Sequence, residues 1–393
     1  MGYDFKFIHC ADLHLGSRFK GLGLENSELA KRMRASVQES FSRIVDAAIS
    51  KGADAMVISG DLYDDNNELP STRMWLSREL ARAGIPVFIC RGNHDSRTSW
   101  DASIPYPDNV HEFGQSVERM KVGDNVEVVG ISYSTPHEER NLASMIGGSP
   151  GLFTIACVHS DVDSVSEGYP YAPCSMSDLV GRSVDYWALG HIHKRTVVSS
   201  NPYVVYPGNI QGRSFKETGQ KGAYLVTVSS GRVSAMEFIP TQSYIWENIS
   251  VDISDKDLNM VREELSRRIH KGSVCRITFT GAGDLNTVLR TDPDDVGKAL
   301  SSGLDIIISE MIVRTSPAID MEARSKGKDM GAAIIQCGRR MESLSASEIV
   351  DILCQNRLMA QNRDILSGMS EDELRNLVSD ATKDCLVRME AGR

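Results

Sequence analysis

The sequence predicts an α/β protein: a layered β-sandwich flanked by helices, then a small α+β domain, then a helical C-terminal segment. Apolar, β-branched runs first alternate with segments of helical period. From about residue 126 the helices thin out and short strand-like runs follow one another. Beyond Pro240 the alternation restarts, and capping-box patterns announce helices near the C-terminus. At 393 residues the chain exceeds one ordinary core. The expected domains are 1–240, 241–323 and 332–393.

The first strand is Phe7-Ile8-His9-Cys10, ending on Ala11-Asp12-Leu13-His14. Met33, Val37, Phe41, Ile44, Val45 and Ala48 then recur at helical spacing, with Gly52 as the stop. Val57-Ile58-Ser59-Gly60-Asp61 reads as a buried strand that delivers Asp61 at its carboxyl end. A helix over Ser71 to Ala83 is closed by Gly84, and Pro86 opens the next strand. That strand ends on Arg91-Gly92-Asn93-His94-Asp95. Strands joined by helices lie parallel, and ligands collect beyond their carboxyl ends, where these polar clusters fall.

Further strands are expected at Val126 to Ile131, Phe153 to Val158, Val184 to Leu189, Tyr203 to Tyr206, Ala223 to Val228 and Val233 to Ile239, making a second sheet packed on the first. The domain after Pro240 reads as strand Ile245 to Val251, helix from Ser254 to about Ile269, strand Val274 to Phe279, helix Asp294 to Leu300 and strand Ile306 to Val313. Arg324 to Gly331 is basic and contains glycine, as a mobile linker would be. Ser345-x-x-Glu348 and Ser370-x-x-Glu373 each open a helix, and in the second Leu374, Leu377, Val378, Ala381 and Cys385 form one stripe expected to pack on its own domain.

A net charge of -10 gives no basic signature and weighs against a self-sufficient nucleic-acid binder. Eight cysteines without a C-x-x-C pair, three of them inside apolar strands, fit small buried hydrophobes in a reducing compartment. No apolar signal core opens the chain and no run approaches the roughly 18 residues of a membrane span, so a cytoplasmic protein away from membranes is expected.

The polar clusters carry the chemistry. Carboxylates, an asparagine carbonyl and imidazoles form a mixed, fairly hard ligand set suited to manganese, iron, zinc or magnesium. Five of the nine histidines, His14, His94, His159, His191 and His193, sit in these clusters. In Asp12-x-His14 and His191-x-His193, residues two apart on extended backbone point the same way. Asp61 is expected to bridge two divalent metal ions whose other ligands come from the surrounding clusters.

Asp12-x-His14, Gly60-Asp61, Gly92-Asn93-His94-Asp95, His159 and Gly190-His191-x-His193 occur in the order of the calcineurin-like metallophosphoesterases, which this chain resembles over roughly residues 5 to 215. The resemblance implies one metal on Asp12, His14, Asp61 and His193, and the other on Asp61, Asn93, His159 and His191. It implies a water nucleophile activated by two ions, with Mn2+ first in expectation, and a catalytic His94 facing the leaving oxygen with Asp64 as its orienter.

Phe7 to Gly16, Gly60-Asp61-Leu62-Tyr63-Asp64 and Gly92 to Ser96 look like the SbcD-type DNA-repair exonucleases, many of which carry a histidine where this chain has Asp64. Phe19-Lys20-Gly21-Leu22 is instead similar to YhaO-like members of that branch. The resemblance implies DNA as substrate, exonucleolytic or endonucleolytic, and an SbcC-type coiled-coil ATPase on the C-terminal segment; a homodimer is left open. The chain has no G-x-x-x-x-G-K-[ST] loop of its own. Arg18, Arg97, Lys194 and Arg195 are the candidate phosphate contacts, with Lys20, Arg91, Arg213 and Lys216 nearby in sequence or on neighbouring loops. The competing expectation is a metallophosphoesterase for small phosphodiesters or phosphomonoesters.

Overall fold

The computed structural model describes residues 4–17, 28–64, 69–96, 104–163, 171–318 and 320–391. The chain divides into two compact units, 1–247 with 270–274, and 248–269 with 275–393.

In the first unit β1 (Asp4–Cys10), α1 (Glu28–Ser50), β2 (Ala55–Ser59), α2 (Pro70–Ala83) and β3 (Val87–Cys90) follow the expected β-α-β-α-β order, and β4 (Val110–Glu112) extends the parallel set. Pro70 at the first turn of α2 needs no N–H partner, and Gly84 ends the helix in the left-handed region at φ 66. Then come β5 (Glu118–Val122), β6 (Val126–Gly130), β7 (Phe153–His159), the short pair β8 (Asp161–Val162) and β9 (Pro173–Cys174), the one-turn α3 (Met176–Leu179), β10 (Tyr186–Gly190), β11 (Thr196–Ser200), β12 (Tyr203–Tyr206), β13 (Gly222–Ser229) and β14 (Arg232–Pro240).

Two six-stranded sheets result, ordered β14-β13-β1-β2-β3-β4 and β11-β12-β10-β7-β6-β5. The runs at 223–228 and 233–239, expected in the second sheet, instead complete the first. β13 pairs antiparallel with β1, covering the edge that β2 leaves open, and β14 pairs antiparallel with β13. Alternation along the strands builds three layers of core. Phe7, Val57 and Phe88 meet Val128, Ile155, Ala188 and Val205 between the sheets. Ile8, Met56, Ile58 and Ile89 point the other way, under Val37, Phe41, Ile44, Leu76 and Leu80 of α1 and α2. Ala156, Val158, Trp187 and Leu189 face Leu142, Ile146 and Leu179 on the far side of the second sheet. Both sheets aim strand carboxyl ends at one rim.

The second unit is built on β15 (Ile245–Asp252), α4 (Leu258–Arg268), β16 (Ser273–Ala282), α5 (Leu285–Thr291), α6 (Pro293–Ser301) and β17 (Ile306–Ser316), with a three-stranded sheet ordered β15-β16-β17. Val251, Val261, Leu265, Ile277, Phe279 and Leu300 fill its core. Helices α7 (Met321–Ser325), α8 (Met330–Glu342), α9 (Ala346–Leu353), α10 (Arg357–Ala360), α11 (Arg363–Ser367) and α12 (Glu371–Ala391) complete it. The patch from Arg324 to Gly331, expected as a linker, is the turn between α7 and α8: Arg324 pairs with Asp329 at 2.7 Å, and Asp329 caps α8. Both capping boxes form. On α12 the buried positions are Leu374, Val378, Thr382 and Leu386, whereas Leu377, Ala381 and Cys385 are exposed. The expected stripe therefore straddles two faces, because Leu374 and Val378 lie four apart while Leu377 and Ala381 fall on the neighbouring row.

Phe41 is fully buried between α1 and the first sheet. Phe41→Ala should lower the unfolding free energy of the first unit by about 3–5 kcal/mol, read as a urea midpoint shift at unchanged m-value.

Candidate metal centre

The site grows from the rim where the two sheets end together. Asp12 and His14 follow β1, Asp61 follows β2, Asn93 and His94 follow β3, His159 ends β7, and His191 and His193 follow β10. The chain turns abruptly at each exit. Asp12, His14 and Asp61 have φ of 52, 47 and 50, and His191 has 102, all in the left-handed region that costs a non-glycine residue about 1–3 kcal/mol. Backbone bonds hold these turns: Asp12 N–H to Gly60 O at 3.1 Å, His14 N–H to Asp61 O at 2.9 Å and Leu15 N–H to Leu62 O at 2.8 Å. Glycine is required at Gly92, where a Cβ would strike the Asp61 carboxylate and the His159 ring.

One donor atom from each of Asp12, His14, Asp61 and His193 lies within 4.8 Å of the others. His14 Nε2 is 3.0 Å from His193 Nε2 and 3.7 Å from Asp61 Oδ2. Beside them His159 Nε2 lies 3.1 Å from Asn93 Oδ1 and 3.5 Å from Asp61 Oδ2. His191 stacks edge-on against His159, ring centroids 5.2 Å apart, and its N–H donates to Asp12 Oδ1 at 3.0 Å. Asp61 thus stands between two groups of donors, and receives the His94 N–H at 3.0 Å.

Three of the imidazoles are aimed by their other nitrogen. His14 Nδ1 meets Asp64 Oδ1 at 3.1 Å, His193 Nδ1 meets Glu217 Oε1 at 2.7 Å, and His159 Nδ1 meets the Ser59 carbonyl at 3.0 Å. With the protons donated there, the Nε2 lone pairs of His14 and His193 converge on one volume, and that of His159 meets Asn93 and Asp61 beside it. Asp12 Oδ2, also buried, has no hydrogen-bond partner. Converging lone pairs and an orphaned carboxylate oxygen repel one another unless a cation lies among them, so the residues present fit divalent metal.

The electrostatics agree except at His193, where, against the cost of burial, the bond with Glu217 and the charge of Asp12 raise the imidazole. Burial lifts the Asp12 and Asp61 carboxyls above the usual carboxylate range, lowers His14 and His159, and pushes His191 down to about 3. Burial, with the charge of Asp61, also raises Asp95 to about 6; its carboxylate accepts the Leu62 and Gly92 N–H groups, each at 2.7 Å, and so ties the exit of β2 to that of β3. Asp64 and Glu217 go the other way. Against the cost of burial, the hydrogen bond with His14 holds Asp64 low, and the bond with His193 and the charge of Arg213 hold Glu217 low.

His94 differs from its neighbours. Its side chain keeps 32 % of its exposure, its ring stands edge-on to His14 with centroids 4.9 Å apart, and its Nδ1 is 3.6 Å from Asp64 Oδ1. Among the expected phosphate contacts, Lys194 and Arg195 are exposed, with the Arg195 guanidinium 3.8 Å over the Phe238 ring. Arg18 and Arg97, with Lys20 and the stretch Phe19 to Leu22, lie outside the described residues. Arg91 and Arg213 are turned inward: Arg91 pairs with Glu112 and donates to Asp95 O at 2.9 Å, and Arg213 pairs with Asp64 and Glu217, each at 3.2 Å. Sequence reasoning gave no role to Glu217, Ser17, Asp95 or Lys221, whose Nζ donates to the His193 carbonyl at 2.8 Å. Only the Arg213-x-x-x-Glu217 spacing in a glycine-flanked loop hinted at the pair.

Residues 5–195 match the calcineurin-like phosphoesterase family. The chain is 37 % identical to the uncharacterized metallophosphoesterase YhaO of Bacillus subtilis over 296 residues, 71 % of this chain and 72 % of that one. It is 25 % identical over 287 residues to the DNA double-strand break repair protein Mre11 of Sulfurisphaera tokodaii, covering 67 % of this chain and 68 % of that one. The corresponding Mre11 protein of Methanosarcina acetivorans is 24 % identical over 409 residues, 99 % of this chain and 61 % of its own length. The chain therefore belongs to the calcineurin-like metallophosphoesterases, with a mixed α/β fold and a candidate two-metal site of aspartate and histidine. No helix among the described residues is long and apolar enough to cross a membrane.

Gly92→Ala should weaken Mn2+ binding by about tenfold or more, because the added Cβ displaces Asp61 and His159. Calorimetric titration of the chelated protein measures it, with an unchanged far-UV circular dichroism spectrum expected.

Proposed function

We propose that the chain is a two-metal-dependent phosphodiesterase acting on DNA ends, an exonuclease or endonuclease of DNA repair. The observation that carries the reading is the convergence of Asp12, His14, Asp61 and His193 donor atoms within 4.8 Å, with Asn93 and His159 beside Asp61 and the His191 ring edge-on to His159. Bound there, two divalent cations, Mn2+ first among them, supply Lewis acidity to a phosphoryl group and acidify the water that attacks it. Asp12, Asp61 and Asn93 supply the oxygen donors, and His14, His193, His159 and His191 the nitrogen donors. Asp61 is shared. His94, its side chain 32 % exposed, faces the leaving oxygen and hands it a proton, held in place by Asp64.

DNA as substrate is supported by the Mre11 relatives, whose name states their role in double-strand break repair. Lys194, Arg195 and Lys216, all exposed, are available for phosphate contacts. An SbcC-type ATPase partner is supported by the apolar residues left exposed on the C-terminal helices, Leu358 at 71 % and Ile365 at 68 %. A second reading, hydrolysis of small phosphodiesters or phosphomonoesters, is favoured by the inward pairing of Arg91 and Arg213, which removes two cations from any phosphate-binding rim.

Manganese-loaded protein should degrade linear duplex and single-stranded DNA. Asp61→Ala and His94→Ala should each lower the rate by about 100-fold or more with the fold intact. A fully loaded protein that turns over bis(p-nitrophenyl) phosphate but neither binds nor cuts DNA at low salt would establish the second reading instead.

A further inference from the structure

The two donor groups flanking Asp61 are not held in the same way. His159 is aimed by a main-chain carbonyl, Ser59 O, inside the sheet. His14 and His193 are aimed by side-chain carboxylates, Asp64 and Glu217, from different loops. A single guanidinium joins those carboxylates. Arg213 Nη1 donates to Asp64 Oδ1 at 3.2 Å and to Ser17 Oγ at 2.8 Å, while Nη2 donates to Glu217 Oε1 at 3.2 Å. Ser17 Oγ in turn donates to Asp64 Oδ2 at 2.8 Å. The contacts close a ring: His14, Asp64, Arg213, Glu217, His193, and back across the 3.0 Å between the two Nε2 atoms.

The loop that carries Arg213 is itself fixed. The Arg213 N–H donates to Glu217 Oε2 at 2.7 Å, Asn209 Nδ2 donates to the same oxygen at 3.0 Å, and the neighbouring Gly212 carbonyl accepts from Trp246 Nε1 at 2.7 Å. A forked, planar cation can hold two carboxylates at a set separation, whereas an ammonium on a flexible stem cannot. Histidine ligands depend on such outer partners for ring orientation, and losing one weakens metal binding by about 10–100-fold.

We propose that Arg213 is a positioning residue for one metal position only, the one formed by Asp12, His14, Asp61 and His193, and that the two positions therefore differ in what sustains them. The assignment rests on the two-metal reading above. Among the described residues the side chains of Asn93, His159 and His191 make no hydrogen bond to a member of this ring; what the two positions have in common is Asp61, beside His14 and His159 alike, and the Asn93, His159 and His191 side keeps its affinity when Arg213 is changed.

The test is calorimetric titration of chelated full-length protein with Mn2+, followed in parallel by electron paramagnetic resonance. Wild type is expected to take up two ions and give an exchange-coupled signal. In Arg213→Gln one binding step should weaken by about 10–100-fold while the other stays within about twofold, and the first equivalent should give the six-line spectrum of an isolated ion. Arg213→Lys and Ser17→Ala should weaken the same step by less. Two ions at wild-type affinity in Arg213→Gln, or equal weakening of both steps together with a lowered melting temperature, would overturn the assignment. A wild type that binds one ion, weakened by Arg213→Gln to the same extent, would keep the Arg213 role and sink the two-metal reading. A wild type that binds none sinks both.

Discussion

Two carboxylates, Asp12 and Asp61, are withdrawn from water to 1 % exposure where parallel strands end. Burying an ionised carboxylate costs several kcal/mol unless charge or hydrogen bonds offset it. The bonds in reach are few: one main-chain N–H to each, with Asp12 Oδ2 left bare. Imidazoles line the pair most closely, and their lone pairs make the deficit worse; the charges of Arg213 and Lys221 reach Asp61 and Asp12 without a hydrogen bond to either. A small, multiply charged cation relieves such a set without protonating it, and the donors of the rim fit one.

The backbone follows from the same constraint. Bringing donors from several strand ends within a few ångströms forces the chain to turn inside one residue. Four site residues, Asp12, His14, Asp61 and His191, accordingly sit at positive φ. Such strain persists only where neighbours over-determine it, here through the bonds between the β1 and β2 exits and the Asp95 bridge to the β3 exit. The left-handed turns and the buried charges are two expressions of one demand for proximity.

Much of this was legible in the sequence, because strand and helix periods are local signals and each cluster lies directly after an apolar run. The β-α-β-α-β opening and the strand ends bearing Asp12, Asp61, Asn93, His159 and His191 could be placed from period alone. Sheet membership could not: the partner of β13 is β1, far away in the chain, and pairing of that kind leaves no local trace. Arg213 was hidden for a related reason. An arginine in a polar loop reads as a surface cation, and only folding brings Asp64, from an early loop, and Glu217 to either side of it. The α12 stripe failed by a finer margin, since rows one residue apart on a helix differ by one face.

The donors flanking Asp61 are drawn from both halves of the sandwich. Asp12, Asp61 and Asn93 leave the first sheet; His159, His191 and His193 leave the second. A cation seated there would be a rivet through two layers that elsewhere meet by apolar packing and a few buried polar bonds, Ser59 Oγ to the Ala188 carbonyl at 2.8 Å and His9 Nδ1 with the Tyr186 hydroxyl at 3.0 Å among them. Catalytic competence and the mechanical registration of the sheets then become one quantity. A drift of one sheet against the other by a fraction of an ångström would open the centre before it exposed the core, so the rim would report slippage of the sandwich earlier than any buried aromatic could.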